Sequence, residues 1–257
     1  MTIFNSIKNL RLCRFQSQSN DARIGLITYE NSIVDLTAAG INRMDTLLDS
    51  DDPIERISKL SDKNLTKIEL KDAKLLVPLE QQEVWAAGIT YSRSKKARKI
   101  ESNFAELAYE SVYSADRPQL FFKSIPEKVA ATDESIGIRS DSEWNVPEPE
   151  LAIIMNSSNK IVGYTIGNDM SSRDIEGENI LYQPQAKIYN RSCSIGPWIS
   201  IGVNEEEARK WIISMKIKRN DKLIYQDEIS VSQIKRSFTE LVEYLSRSQV
   251  FHKGVVL

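Results

Sequence analysis

The chain has 257 residues, 27% charged and 41% hydrophobic, with 34 lysines and arginines against 36 aspartates and glutamates and a net charge of −2. That length buries a full core, as one large domain or a small one plus a large one, and the near-neutral balance argues against a surface for nucleic acid or anionic membrane. A single histidine, His252, and two cysteines, Cys13 and Cys193, supply no imidazole or thiolate cluster for a zinc centre or a histidine-based triad, so metal chemistry must use oxygen ligands.

No apolar run is long enough to cross a bilayer, and Met1-Thr2-Ile3-Phe4-Asn5 lacks the basic and apolar regions of a secretory signal. The expected setting is the cytoplasm, with both cysteines reduced.

In chain order, residues 23–29 and 32–36, separated by Glu30-Asn31, read as a hairpin. Residues 44–60 carry helical spacing through Met44, Leu47, Leu48, Ile54 and Ile57, interrupted at Pro53. A boundary near Leu76-Val77-Pro78-Leu79 divides the chain into domains 1–78 and 79–257. Residues 94–115 place Ala97, Ile100, Phe104 and Leu107 on one helical face, either a surface helix or a lid. From Arg117 onward strands dominate: residues 120–123, 151–155, 161–166 and 198–201 are short β-like runs. Asn204-Glu205-Glu206-Glu207 reads as a helix cap, and Ile213, Met215 and Ile217 alternate with polar residues as a half-buried strand turned back at Asn220-Asp221. A last helix carries Ile234, Phe238, Leu241 and Leu245 on one face.

The stretch Trp144-Asn145-Val146-Pro147-Glu148-Pro149-Glu150-Leu151-Ala152 carries the chemistry. Alternation in a strand points Glu148 and Glu150 the same way, and paired carboxylates repel unless a cation lies between them. Asp169 follows one strand later, in Gly167-Asn168-Asp169. Three converging carboxylates suit a hard divalent ion, magnesium or manganese, with calcium as a further option. By themselves the neighbouring residues read more plainly: Arg173-Asp174 as a structural ion pair, Lys187 as a solvated lysine, Gly196-Pro197 as a turn.

Gly88-Ile89-Thr90-Tyr91, Arg117-Pro118-Gln119-Leu120-Phe121-Phe122-Lys123, the Glu148/Glu150 strand, Asn168-Asp169-Met170-Ser171-Ser172-Arg173-Asp174, Lys187 and Gly196-Pro197-Trp198 occur in that order. Together they resemble the fumarylacetoacetate hydrolase superfamily over nearly the whole chain. Trp-Asn-Val-Pro-Glu-Pro-Glu-Leu, with Glu176-Gly177-Glu178-Asn179 and Leu181-Tyr182-Gln183-Pro184-Gln185-Ala186-Lys187, resembles the branch of 2-keto-3-deoxy-D-arabinonate (or xylonate) dehydratases.

The resemblance implies an α+β, mainly β fold: a small mixed N-terminal domain, then a mixed β-roll or barrel-like catalytic domain, in a homo-oligomer. It implies Mg2+ held by Glu148, Glu150 and Asp169, and a small-molecule partner, a 2-keto-3-deoxy sugar acid, whose carboxylate and 2-oxo group complete the coordination. Lys187 matches the lysine over the chelated substrate, Thr90 a small hydroxyl residue in contact with it, and Arg173 is placed with them as a substrate-binding residue. Polarising the 2-oxo group acidifies C3 and stabilises the enolate, so that loss of the C4 hydroxyl and tautomerisation give 2,5-dioxopentanoate. Lys187 handles the C3 proton, as base or as enolate stabiliser; nearby carboxylates oppose the unprotonated form.

The chain departs from that pattern in three places. Ser94 and Ala97 stand where the hydrolase branches carry a water-activating histidine and acid, which argues against C–C hydrolysis. Gln119 stands where the dehydratase branch has glutamate, and an amide cannot deliver a proton, a loss of about 10²–10⁴ in rate. The chain stops at Phe251-His252-Lys253-Gly254-Val255-Val256-Leu257, so the catalytic domain is expected to be C-terminally incomplete, with an exposed sheet edge. Besides the dehydratase, two readings stand open: another 2-oxo acid hydratase, decarboxylase or hydrolase, and an impaired paralogue that binds metal and 2-oxo acids without turnover.

Overall fold

Short apolar runs separated by turn residues make strands the predominant regular structure of the described residues. The computed structural model describes residues 9–17, 20–60, 65–91 and 111–257. The sequence-expected lid or surface helix over residues 94–115 falls largely outside them, as do Ser94 and Ala97.

The N-terminal strands are β1 (Leu10–Gln16), β2 (Arg23–Ile27), β3 (Ser32–Asp35), β4 (Lys67–Glu69) and β5 (Lys74–Leu76). The expected hairpin is β2–β3, turned by Asn31 at a left-handed φ of 56°. The expected helix over 44–60 is two helices, Met44–Leu48 and Pro53–Ser58. Pro53 opens the second, where its missing N–H is harmless, and Asp52 caps it by accepting from the Glu55 amide at 2.8 Å.

The remaining strands are β6 (Glu83–Gly88), β7 (Gln119–Ser124), β8 (Val129–Ala130), β9 (Asn145–Val146), β10 (Pro149–Met155), β11 (Ile161–Asp169), β12 (Ser171–Ser172), β13 (Cys193–Ile201), β14 (Ile212–Arg219), β15 (Lys222–Ser230) and β16 (Val255–Val256). The described residues build a 12-stranded mixed sheet in the order β4-β3-β2-β1-β13-β11-β10-β16-β6-β7, with β5 on β1 and β8 on β13. Hydrogen bonding passes from β1 to β13 across residue 78, so the N-terminal strands continue the sheet that holds β10 and β11. The pairs β9–β12 and β14–β15 lie outside it. Asn220 and Asp221 both take positive φ, 49° and 61°, as a two-residue hairpin turn requires. Asn204 and Glu207 form a reciprocal capping box on Glu205–Ala208. Phe238–Ser246 is the last helix; Ile234 lies before it, buried and bridged to Tyr91.

Two sequence expectations change. Gly196-Pro197 is a cis peptide inside β13, not a turn, because β13 keeps its pairing with β11 through Gly196. The apolar end does not leave a sheet edge without partners. Val255-Val256 runs antiparallel to β10 and parallel to β6, and Leu257 exchanges backbone hydrogen bonds with Ile153. Its alternation serves two cores: Val256 packs with Leu12, Ile154 and Ile199, whereas Val255 and Leu257 pack with Tyr164, Phe238 and Leu245. Cys13 and Cys193 are buried free thiols, each pushed up to about 12 by burial. No described helix is long and apolar enough to cross a membrane.

Candidate active site

The ends of β6, β7, β10 and β11 and the helices after β12 converge on a cavity of about 390 Å³. Its wall includes every candidate named from the sequence, Thr90, Gln119, Glu148, Glu150, Asp169, Arg173 and Lys187. Ile89 leaves β6 at a left-handed φ of 55°, rare for a β-branched residue, and this turn delivers Thr90 to the cavity. Gln119 opens β7 directly opposite Gly88 of β6.

The acids come from two adjacent strand ends. Glu148 sits just before β10 and Glu150 within it, while Asp169 closes β11 and donates its amide to the Glu148 carbonyl at 2.9 Å. One ligand oxygen from each of the three lies within 4.8 Å of the others. Burial first, and then the neighbouring carboxylates, push Glu150 up to about 8. Burial raises Glu148 also, against the pull of Lys187. Three crowded carboxylates with only oxygen donors fit a hard divalent cation.

Lys187 does not take the solvated position its type suggests. It ends the helix Gln183–Lys187, is 4% exposed, and donates to Glu148 Oε2, to Asp169 Oδ2 at 2.8 Å and to Ser171 Oγ at 2.6 Å. Burial alone would lower its ammonium, but Glu148, Asp169 and Glu176 hold it well above its ordinary value. Arg173 begins the helix Arg173–Glu178 and pairs with Glu148 and Glu176. Asp174 turns to another task, accepting from Ser142 Oγ at 2.6 Å and from the Glu143 amide at 2.7 Å, which corrects the expected Arg173–Asp174 pair. The wall also holds Glu176 and, from the β14–β15 hairpin, Met215, Tyr225, Asp227 and Glu228.

Sequence reasoning gave no role to Ser171 or Lys123. Ser171 Oγ donates to Glu148 Oε2 at 3.1 Å as well as accepting from Lys187. Lys123, 2% exposed, lies 2.6 Å from Asp169 Oδ1. A lysine inside the apolar run Leu120-Phe121-Phe122-Lys123 was the available signal, because a cation on a buried strand requires a counter-charge.

Comparison with known proteins gives concordant results. A Haloferax volcanii protein named probable 2-keto-3-deoxyxylonate dehydratase is 48% identical over 176 residues, 68% of this chain and 60% of that protein. The chain thus spans under two thirds of that relative. The 2-dehydro-3-deoxy-D-arabinonate dehydratase of Saccharolobus solfataricus is 36% identical over 208 residues, 79% of this chain and 70% of that protein. A solved 2-keto-3-deoxy-D-arabinonate dehydratase, complexed with magnesium and 2,5-dioxopentanoate, superposes with a TM-score of 0.77 at 30% identity, covering 96% of this chain and 86% of that one. The family model for the C-terminal region of fumarylacetoacetate (FAA) hydrolase matches residues 96–257. With 162 of 257 residues inside that match and the acid cluster at its centre, the chain belongs to the fumarylacetoacetate hydrolase family.

Proposed function

We propose that this protein is a Mg2+-dependent dehydratase that converts 2-keto-3-deoxy-D-arabinonate to 2,5-dioxopentanoate, acting as a cytoplasmic homo-oligomer with a small N-terminal domain (1–78) and a catalytic domain (79–257). The observation that carries the reading is the Lys187 ammonium bonded to Glu148, Asp169 and Ser171 in a cavity that also holds Glu150, Thr90 and Gln119. The names of the two relatives and the magnesium complex of the solved dehydratase support it. Arabinonate and xylonate of the D series differ only at C2 and C3. The 2-oxo group and the 3-deoxy carbon abolish both centres, so the two substrate names then describe one compound, defined by its configuration at C4.

Glu148, Glu150 and Asp169 would hold Mg2+, which when bound supplies Lewis-acid polarisation of a 2-oxo group. Lys187, kept protonated by its carboxylates, serves as the stabiliser of negative charge growing on the 2-oxo oxygen. The C3 proton passes to solvent water in the cavity, and the C4 hydroxyl leaves as water with a proton taken from solvent. Thr90 and Arg173 orient the substrate. Gln119 hydrogen-bonds the C4 hydroxyl, but its amide has no acidic proton to give. That amide is the one specific observation favouring the second reading, a site that binds metal and 2-oxo acid with little turnover.

The test is incubation with Mg2+ and 2-keto-3-deoxy-D-arabinonate, coupling 2,5-dioxopentanoate to an aldehyde dehydrogenase, with the C4 epimer as control. Product from the D compound alone supports the dehydratase. Saturable substrate binding without product supports the second reading, and neither binding nor product overturns both.

A further inference from the structure

Lys123 is a buried cation that does not line the cavity. It is 2% exposed on β7, and its ammonium has three donors to place. One points to the Met170 carbonyl at 3.1 Å and one to the Lys187 carbonyl. The third side of the ammonium faces Asp169 Oδ1 at 2.6 Å, an ion pair lying off the hydrogen-bonding direction. The Tyr189 ring, its centroid 6.0 Å away, covers it further.

These contacts are not scattered. They meet the last residue of β11, the residue after it, and the last residue of the helix Gln183–Lys187. One charge therefore fixes a metal-type carboxylate from its far oxygen and the backbone from which Lys187 reaches the near one. We propose that Lys123 is a positioning residue for the acid cluster: it holds Asp169 and the root of Lys187 in the register that a small, geometrically demanding cation needs. This rests on the metal-dependent reading above and extends it to cation selectivity. Mg2+ demands near-ideal octahedral ligands, whereas Ca2+ accepts irregular ones, so the position of Asp169 weighs more on Mg2+.

The sign of the effect separates positioning from simple charge. Removing a cation beside Asp169 leaves the cluster more negative, which by Coulomb attraction alone tightens every divalent ion. Lost positioning acts the other way, and outer contacts to metal ligands are worth about 10–100-fold in affinity.

The experiment is calorimetric titration of Mg2+ and Ca2+ into metal-free wild type and Lys123→Met, with thermal unfolding of each in EDTA. The expected result is Mg2+ binding weakened about tenfold or more in a folded variant, with Ca2+ weakened less. Unchanged or tighter Mg2+ binding overturns the proposal. Where Lys123→Met does not fold, Lys123→Gln keeps a donor for the two carbonyls without the charge and is expected to show the same shift. Failure of both variants to fold, even in excess Mg2+, marks Lys123 as a residue of the fold alone and overturns it as well. Wild type that takes up no Mg2+ sinks this proposal together with the metal-dependent reading. A weakened variant of a wild type that binds Mg2+ but makes no 2,5-dioxopentanoate leaves this proposal standing and removes only the dehydratase.

Discussion

Gly88 and Gln119 face each other across β6 and β7 so closely that a Cβ on Gly88 would lie 2.4 Å from Gln119 Oε1. The glycine clears the space in which the amide lies over the backbone of β6, at the cavity wall. The atom in the way is the far end of a flexible side chain, so a methyl group at 88 moves the amide rather than the strand. Gly88→Ala is therefore expected to leave the melting temperature nearly unchanged and to lower kcat by about 10²-fold, the scale of a 1 Å misplacement. A kinetic loss matched by an equal loss of folded protein defeats this account.

The same position tests what the amide costs. Gln119→Glu places a carboxyl group in the cavity wall shared with Glu148, Glu150 and Asp169, where burial raises its pKa and keeps its proton available. The expected gain in dehydration rate is about 10²–10⁴-fold, the usual worth of a placed general acid. A rate equal to wild type shows that the leaving hydroxyl takes its proton elsewhere.

Much of the fold was legible because its signals are local. Ile213, Met215 and Ile217 alternate, Asn220-Asp221 turns, and Asn204 with Glu207 caps, each within a few residues. Glu148, Glu150 and Asp169 were legible as a group because strand alternation and one hairpin bring them together. Lys123 was not, and Lys187 was legible only through the resemblance, since a lysine's burial depends on carboxylates that only the fold assembles around it. The partners of Val255-Val256 were hidden for a similar reason. They lie at Glu83-Val84 and Ile154-Met155, far away in sequence, and no short-range pattern announces them.

Lys187 is expected to matter to the metal-free fold as well as to the reaction. Lys187→Met removes the cation that Glu148 and Asp169 share but leaves Glu148 on Arg173 and Asp169 on Lys123, so the cost is expected to stay below the about 3–5 kcal/mol of a fully unpaired buried charge. The expected pattern is a drop in melting temperature in EDTA, partial recovery with Mg2+, and no measurable dehydration even when recovered. Full activity in the Mg2+-loaded variant removes Lys187 from the mechanism.

The acid cluster also sets a pH dependence. In the metal-free protein Glu150 sits near 8 instead of its usual 4.5, so between those values the native state holds a proton that the unfolded chain has released. Stability then falls as pH rises through that window. Divalent binding must displace the proton, so affinity for Mg2+ rises over the same range and uptake at pH 7 releases protons. Calorimetry in two buffers of different ionisation enthalpy measures the release directly. Identical heats in both buffers, or a melting temperature in EDTA that climbs from pH 5 to 8, contradict the raised Glu150.

The short β16 has an effect out of proportion to its length, because it lies between β10, which carries Glu150, and β6, which leads to Thr90. Val256 is 0% exposed among Leu12, Ile154 and Ile199. Val256→Ala removes two methyl groups and leaves a small void, a loss of about 1.5–3 kcal/mol that lowers the melting temperature while kcat of the folded enzyme stays within about twofold. Val256→Asp puts an unpaired carboxylate in the same place, which no residue of that cluster can compensate. It is expected to abolish cooperative unfolding, and Mg2+ binding with it. The Ala variant is the sharper of the two. A fall in kcat without a fall in stability shows that β16 acts on the cavity directly; a fall in stability alone shows that it acts by joining the two walls.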